Sequence, residues 1–411
     1  MTSTDDRRPR SQTLALAGTV FASVVVAAAA GAGTPLLSLY QRTWGFPLWQ
    51  LTLAFAIYAV ALLTTLLIAG SLSDHLGRRP ILIGALILMV LASTLFLIDD
   101  QIGWVIAARA IQGMATGAAT STFTAAIIEL ASARHKPVMT VVTSAAPVGG
   151  LALGALSTGA ASDLLTDPTR VVFGMLIVFF LIGIIAVSVA RETRAPLAGA
   201  IRSLRPRLVA PAAARSWFIS VAPLVASGWM FSGLFLGLAP TFDRSEFAIE
   251  SGTLNGLIVA LQPASAALVG LVFSRVRPRL AAMTGSVLML AGAAVTLAGL
   301  ASGSLVATAV GAVVGGAGQG AGFGSSLRIL APLSNGTDRA GMFSAVYLIA
   351  YASYGIPVLA AGALSGLSDL STVVVIYCAV VAVLAAWALI SIYRIDRRGN
   401  QSTTRSKGIS S

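Results

Sequence analysis

The 411-residue chain has little charge: 10% of its residues are Asp, Glu, Lys or Arg, where soluble domains run nearer a quarter. Apolar residues make up 56%, more than an ordinary soluble fold can hide. Disorder is excluded by the same hydrophobicity. One cysteine, Cys378, rules out a disulfide framework or a cysteine metal cluster. Two histidines, His75 and His135, leave little material for a metal site or imidazole acid–base chemistry. No Gly-x-x-x-x-Gly-Lys-Ser/Thr loop occurs, which argues against ATP-driven pumping. No Asp or Glu is expected in the middle of an apolar segment.

What the chain has is a succession of long apolar runs, with a mean hydropathy of +0.88. A membrane helix needs roughly 20 apolar residues. Segments near 13–39, 48–71, 79–98, 102–129, 137–161, 170–190, 216–240, 252–273, 280–301, 304–331, 340–365 and 371–393 meet that need. They predict an all-α integral membrane protein of twelve helices. The first run is too long for a cleavable signal peptide. The longest polar interval, 191–215, divides a six-helix half at 13–190 from another at 216–394. Residues 1–12 and 395–411 form polar tails.

The net charge of +12 would suggest nucleic acid in a soluble protein. Here the charges cluster at segment ends, so the partner is the lipid bilayer. With the N-terminus inside, the cytoplasmic side collects Arg78, Arg79, Arg134, Lys136, most of the linker and tail arginines, Arg275, Arg277, Arg279 and Arg328. The opposite side holds Arg42, Arg170 and Arg244. By the positive-inside rule both termini are cytoplasmic.

The halves echo each other. Gly70-Ser-Leu-Ser-Asp-His-Leu-Gly-Arg-Arg after the second segment is answered by Gly270-Leu-Val-Phe-Ser-Arg-Val-Arg-Pro-Arg after the eighth. Gln112-Gly113 with Gly117 in the fourth segment matches Gln319-Gly320 with Gly324 in the tenth. Such internal repetition is typical of transporters whose site lies between repeats.

Three stretches resemble the major facilitator superfamily of secondary transporters. Gly70-x-x-x-Asp74-x-x-Gly77-Arg78-Arg79 is similar to the family signature between helices 2 and 3. Arg109-x-x-Gln112-Gly113 resembles a motif frequent in proton-linked antiporters. Gly150-x-x-x-Gly154, with Gly159, resembles the antiporter glycine signature of helix 5, but Ala155 and Thr158 replace its usual proline and one glycine. The resemblance implies two pseudo-symmetric six-helix bundles and alternating access. It also implies a conformational-switch role for Asp74 at the N-terminus of helix 11, near Arg339, with Glu129 joining the charge network.

Arg109 sits about 10 Å into its segment at ~1.5 Å per residue. It either faces a cavity or partner or snorkels to the surface. Candidate cavity residues on the helices that line the family's cavity are Trp229, Asn255, Gln262, Gln319, Tyr347, Tyr351 and Tyr354. Asn255 and Gln262 lie seven apart and share a helix face. The expected function is secondary transport of a small organic molecule by a monomer in the cytoplasmic membrane. Proton-linked efflux is favoured, and uptake or facilitated diffusion is the alternative. An intramembrane enzyme is a remote third reading. Arg109 without an acid tilts the substrate towards neutral or anionic. No metal or cofactor is expected beyond a coupling proton.

Overall fold

The computed structural model describes residues 10–70, 72–98, 101–203, 214–333, 336–365, 367 and 369–408. Among these the side chains of 10–11, 137, 202–203, 336–340 and 398–408 are not described. No strand occurs among the described residues. This is what lipid demands, since backbone N–H and C=O groups must pair within each segment. Twelve long helices follow in order. They are α1 (Arg10–Trp44), α2 (Leu48–Ala69), α3 (Arg78–Leu97), α4 (Ile102–Leu130), α5 (Lys136–Leu164), α6 (Pro168–Val189), α7 (Arg215–Phe247), α8 (Gly252–Phe273), α9 (Pro278–Ala301), α10 (Leu305–Leu330), α11 (Gly336–Leu364) and α12 (Leu370–Gly408).

Eleven of them are apolar and long enough to cross a membrane. The exception is α4, whose 29 residues include Arg109, Gln112 and a run of threonines. Its length suffices at ~1.5 Å per residue, and its polar groups face protein: Arg109, Gln112, Thr116 and Thr122 are all buried. With α4 crossing, successive helices alternate direction. The α2–α3, α4–α5, α8–α9 and α10–α11 connections then share one end with both termini. That end carries the arginine-rich loops and is termed the basic end; the other is the far end.

Several boundaries differ from the sequence expectation. The first helix reaches Trp44 and the fifth Leu164. The seventh continues past Pro240 to Phe247. A π turn at Leu234–Leu238 restarts the helix at Ala239, placing Pro240 in a first turn where its missing N–H costs nothing. Arg215 is the first residue of α7 rather than part of the linker. α12 continues to Gly408, through most of the expected tail. Extending an existing helix costs far less than nucleating one.

Each half packs around its own apolar core. In the N-terminal half Phe96 of α3 stacks on Phe173 of α6 at 4.1 Å, beside Leu82, Leu86 and Phe180. In the C-terminal half Val221, Leu224, Met342, Val346 and Ile392 form one cluster. A larger cluster bridges the halves, joining Phe55, Ala59, Ala152 and Ala155 to Phe235, Val259, Tyr354 and Val358.

The repeat read from the sequence has a structural counterpart. Gly113 of α4 lies on α2, where a Cβ would overlap the Tyr58 carbonyl and come 2.9 Å from Ala61 Cβ. Gly320 of α10 lies likewise on α8, against the Ala266 carbonyl and Gly270 N. Gly117 also abuts α2, whereas Gly324 faces open space. At the basic end Glu129, closing α4, binds Arg78 of the α2–α3 loop. Arg328, closing α10, donates to the carbonyls of Phe273, Ser274 and Val276 in the α8–α9 loop at 2.7–2.9 Å. The same lock is built twice, with opposite charge.

These contacts separate two kinds of glycine. Gly84 of α3 has nothing within 4 Å of the place a Cβ would take, so Gly84→Ala should leave stability unchanged or raise it, Ala being the better helix former. Gly113→Ala should overpack the α2–α4 contact and cost about 1–3 kcal/mol. Thermal melting of the purified protein in detergent distinguishes the two.

Candidate functional site

The halves meet along two seams, α2 against α11 and α5 against α8, and both are tightest towards the far end. On the first, Gly362 lies against Thr52, Phe55 and Tyr354 pack at 4.8 Å, and Gly355 faces Ala59. On the second, Gly256 approaches the Ala155 carbonyl (2.6 Å from its Cβ position) and Gly159 Cα (2.8 Å). Only small residues let two helix backbones come this close. Asp163, in the last turn of α5, closes this seam. Its carboxylate accepts from Ser251 Oγ at 2.7 Å, Gly252 N at 2.7 Å and Thr253 N at 2.9 Å. It therefore caps the N-terminus of α8 across the interface, where free N–H groups and the helix dipole favour an anion.

Gly150 and Gly154 do different work from Gly159. They let α5 lie on Ala27 and Ala28 of α1, inside the N-terminal half. Ala155, standing at the usual proline position, is fully buried, and its carbonyl meets Gly256. The glycine run thus packs α5 on both sides.

Nearer the basic end each half carries its own cluster of aromatic or polar side chains. On the C-terminal half Trp229 of α7 packs against Tyr351 (4.8 Å), Phe323 of α10 (5.6 Å) and Tyr354 (5.8 Å). Tyr347 continues the row, 5.9 Å from Phe323 and 6.3 Å from Tyr351. Behind it lies an amide cluster. Gln319 Oε1 accepts from Gln262 Nε2 at 2.6 Å and Ser232 Oγ at 2.7 Å. Trp229 Nε1 and Gln262 Oε1 are buried without a hydrogen-bond partner, leaving one donor and one acceptor unused. On the N-terminal half, Thr116, Thr120, Thr124 and Thr143 line a cavity with Ser23 and Phe123.

Arg109 is buried, 1% exposed. Its guanidinium donates to Gln112 Oε1 at 2.7 Å, Ala54 O at 3.3 Å and Ala30 O at 3.4 Å, and lies 4.4 Å above the Tyr58 ring. The fork of donors suits this set of acceptors on three helices. The burial excludes the snorkelling position. Helix carbonyls and Gln112 accept from the guanidinium.

At the basic end the first signature folds into a compact network. Gly77 turns the chain with φ +97°, a conformation open to glycine. Arg78 pairs with Asp74 at 2.7 Å and Glu129 at 3.3 Å and donates to Ser73 at 2.6 Å. Thr193 Oγ1 also donates to Glu129. Arg79 has an exposed side chain and contributes its backbone N–H. Gly70 ends α2, and its carbonyl accepts from Ser121 of α4. Asp74 thus pairs within its own half; the Arg339 side chain, expected nearby, lies outside the described residues.

The expected cavity residues separate. Trp229, Tyr347, Tyr351 and Tyr354 come together, with Gln262 and Gln319 behind them. Asn255 does not join Gln262: it lies at the far mouth, donating to Pro240 O at 3.4 Å. Gln112 and Gln319 occupy matching places but serve different partners.

Several acids escape the sequence reading. Glu192, just past α6, accepts from the backbone N–H of Arg78 (2.9 Å) and Arg79 (3.0 Å) and caps α3. Its counterpart is Asp396, which pairs with Arg279 in the first turn of α9 at 2.7 Å. Asp163 sits where the expected fifth helix has already ended. Asp243 lies near the end of α7, past the expected boundary at 240, and is fully buried. The signal for Glu192 and Asp163 was an acid at a helix end, near in the fold but far in sequence from the N-terminus it caps. For Asp243 the π turn hid the signal.

The helices, their two-fold repetition and the basic-end network define a membrane transporter built from two six-helix bundles. The Major Facilitator Superfamily profile matches residues 19–287, and the chain belongs to that family of transporters. It is 26% identical over 346 residues to the multidrug resistance protein MdtL of Klebsiella pneumoniae subsp. pneumoniae, covering 82% of this chain and 85% of that one. With MdtL of Citrobacter koseri it shares 26% over 314 residues, 73% and 76% of the two chains. A Shewanella MdtL is 38% identical, but over 68 residues, 17% of its length. A bacterial homologue of the human lysosomal transporter Spinster, solved inward-facing and unoccupied, superposes with a TM-score of 0.71. That match has 13% identity and covers 94% of this chain and 98% of the other, so it attests the fold.

The Asp163 cap makes a direct prediction. A charged cap at an exposed helix end is worth about 1–2 kcal/mol. Asp163→Ala should therefore open the far seam roughly 5- to 30-fold more often. In a Cys378→Ala background, Asn255→Cys at the far mouth should react correspondingly faster with a water-soluble maleimide. Equal rates with and without Asp163 would show that the cap does not hold the seam.

Proposed function

We propose that the chain exports small, lipophilic, aromatic organic molecules from the cytoplasm by alternating access, in exchange for protons. The basic end faces the cytoplasm, and the protein acts as a monomer in the cytoplasmic membrane. The carrying observation is the aromatic cluster around Trp229 in one half, together with a threonine-lined cavity in the other. In this reading the cluster centred on Trp229 and Tyr351 and the cavity lined by Thr116, Thr120 and Thr143 border one substrate space when the basic end opens. Such a space takes flat apolar rings by stacking, at about 0.5–1.5 kcal/mol per contact beyond burial. The unused Trp229 N–H selects a ring system carrying an acceptor. A cavity that is mostly apolar with a few placed polar groups is the general form of a small-molecule site.

The direction rests on the two relatives named as multidrug resistance proteins that match over most of their length, and the sidedness on the arginines gathered at one end. Arg109 lies beside the space and carries a positive charge that no acid neutralises in its half. That charge disfavours cationic substrates at close range and supports a neutral or anionic one. Glu129 and Asp74 hold the basic-end loop, and in this reading they respond to closure of that end without touching substrate. No catalytic step is part of the reading.

The test is transport in proteoliposomes oriented by the same arginine asymmetry. A panel of radiolabelled neutral aromatic antibiotics should move against a concentration gradient when an inward proton gradient is imposed, and stop when it collapses. Trp229→Ala should lower the rate more than tenfold, the loss of a large aromatic contact being worth a few kcal/mol. Trp49→Ala, at the exposed far-end surface, should not. Equilibration without concentration, insensitive to the gradient, would favour facilitated diffusion instead.

A further inference from the structure

We propose that Asp243 is a proton-binding site that sets whether the far-end seam can close, taking its proton from far-side water. The inference rests on the alternating-access reading above and adds to it a residue that links the seam to pH. Asp243 lies in the Ala239–Phe247 stretch that ends α7. It is 0% exposed, and both carboxylate oxygens lack a hydrogen-bond partner. Buried carboxylates are otherwise paired or coordinate a metal, because an isolated ionised one is far costlier to bury than its neutral acid. The packed arrangement therefore takes the neutral form.

The stretch packs against α1, α8 and α12 and follows the π turn. The ionisable groups at this end of those elements are Tyr40 and Arg42 of α1, Tyr377 and buried Cys378 of α12, Asp369 just before α12, and Glu250 just before α8. On its own turn stand Arg244 and Glu246. Among the described residues none forms a hydrogen bond or ion pair with Asp243. Tyr377 donates to Met230 O at 2.9 Å. Donors on Ser371 and Thr372 hold the Asp369 carboxyl down to about 2, so it stays ionised at any working pH. Both histidines stand at the basic end.

Water is one turn away. Pro240, Thr241 and Arg244 line the far-mouth cavity together with Gln41, Arg42 and Asn255. Separating α1 from α7 would carry that water to Asp243. In the open seam the side chain is an ordinary solvated carboxylate. On closing, an O–H bond forms to one carboxylate oxygen, hydronium becomes water, and the side chain goes from −1 to neutral. On opening at higher pH the proton returns to far-side water. The closed seam binds one proton more than the open one, so low far-side pH favours closure and rising pH favours opening, by at most tenfold per pH unit. While the seam is shut, the proton has no route to the basic end. Asp243 thus senses pH on one side and does not carry a proton through.

The experiment uses the full chain, without substrate, in a Cys378→Ala background. Spin labels go on Thr166→Cys and Ser302→Cys, exposed positions in the α5–α6 and α9–α10 loops of the two halves. Electron–electron distance measurements run from about pH 4, where an ordinary solvated aspartate titrates, to about pH 9. The short, closed distance should dominate at low pH and give way to a longer one as pH rises. Asp243→Asn, which is permanently neutral, should stay short throughout, while Asp243→Glu should keep a pH response. Distances that do not change with pH in the unsubstituted protein overturn the proposal without needing a variant. So does an Asp243→Asn protein that opens along the same pH curve. Because no substrate is present, failure of the transport assay above leaves this result readable, and the reverse.

Discussion

The arrangement depends on how closely α5 and α8 can approach. Gly159 and Gly256 let the two backbones touch, and Asp163 then reaches the free N–H groups of α8. Inside a membrane there is little hydrophobic gain in pressing helices together, because lipid is as apolar as leucine. Close packing of small residues and a few well-placed hydrogen bonds must hold the halves. Those are weak enough to break in a working cycle. The second seam, where Thr52 and Phe55 meet Gly362 and Tyr354, has the same character.

The buried polar groups divide by whether their needs are met. Arg109 is costly to place in the bundle, yet Gln112, two carbonyls and the Tyr58 face satisfy it, so it ties α4 to α1 and α2. Gln319 ties α7, α8 and α10 in the same way. Trp229 Nε1, Gln262 Oε1 and Asp243 are not satisfied. Unmet groups of this kind are rare in folded proteins, and each calls for an explanation. Trp229 Nε1 lies in the aromatic cluster, Gln262 Oε1 behind it, and Asp243 beside the far mouth. Rigid parts of the machine carry completed networks, and binding parts carry incomplete ones.

Much of this was legible in the sequence. Apolar runs fixed the number of helices, and basic residues identified the end that holds the termini. The Gly70–Arg79 and Gln112–Gly113 repeats pointed to duplication. Tyr347, Tyr351 and Tyr354 were recognisable as a stripe because i, i+4, i+7 spacing places them on one helix face, whereas their meeting with Trp229 of α7 was not. What could not be read was pairing between distant segments. Nothing in the run around Asp163 says that it meets Ser251. Nor does Glu192 announce that it caps Arg78 and Arg79. Asn255 and Gln262 were grouped by helical spacing, but tilt and the neighbouring Pro240 send one to the far mouth and the other to Gln319. Asp243 was lost because Pro240 reads as a helix stop, and only the π turn before it lets the helix resume.

The account stands or falls on whether the far seam must open for transport. A Cβ at Gly362 would lie 2.7 Å from Thr52 Cβ, so a contact widened by about 1 Å lets Thr52→Cys and Gly362→Cys form a disulfide in a Cys378→Ala background. Transport of a neutral aromatic substrate should be lost when that bridge is oxidised and should return when it is reduced. Transport that continues at the same rate with the bridge fully formed would contradict an alternating-access cycle through this seam.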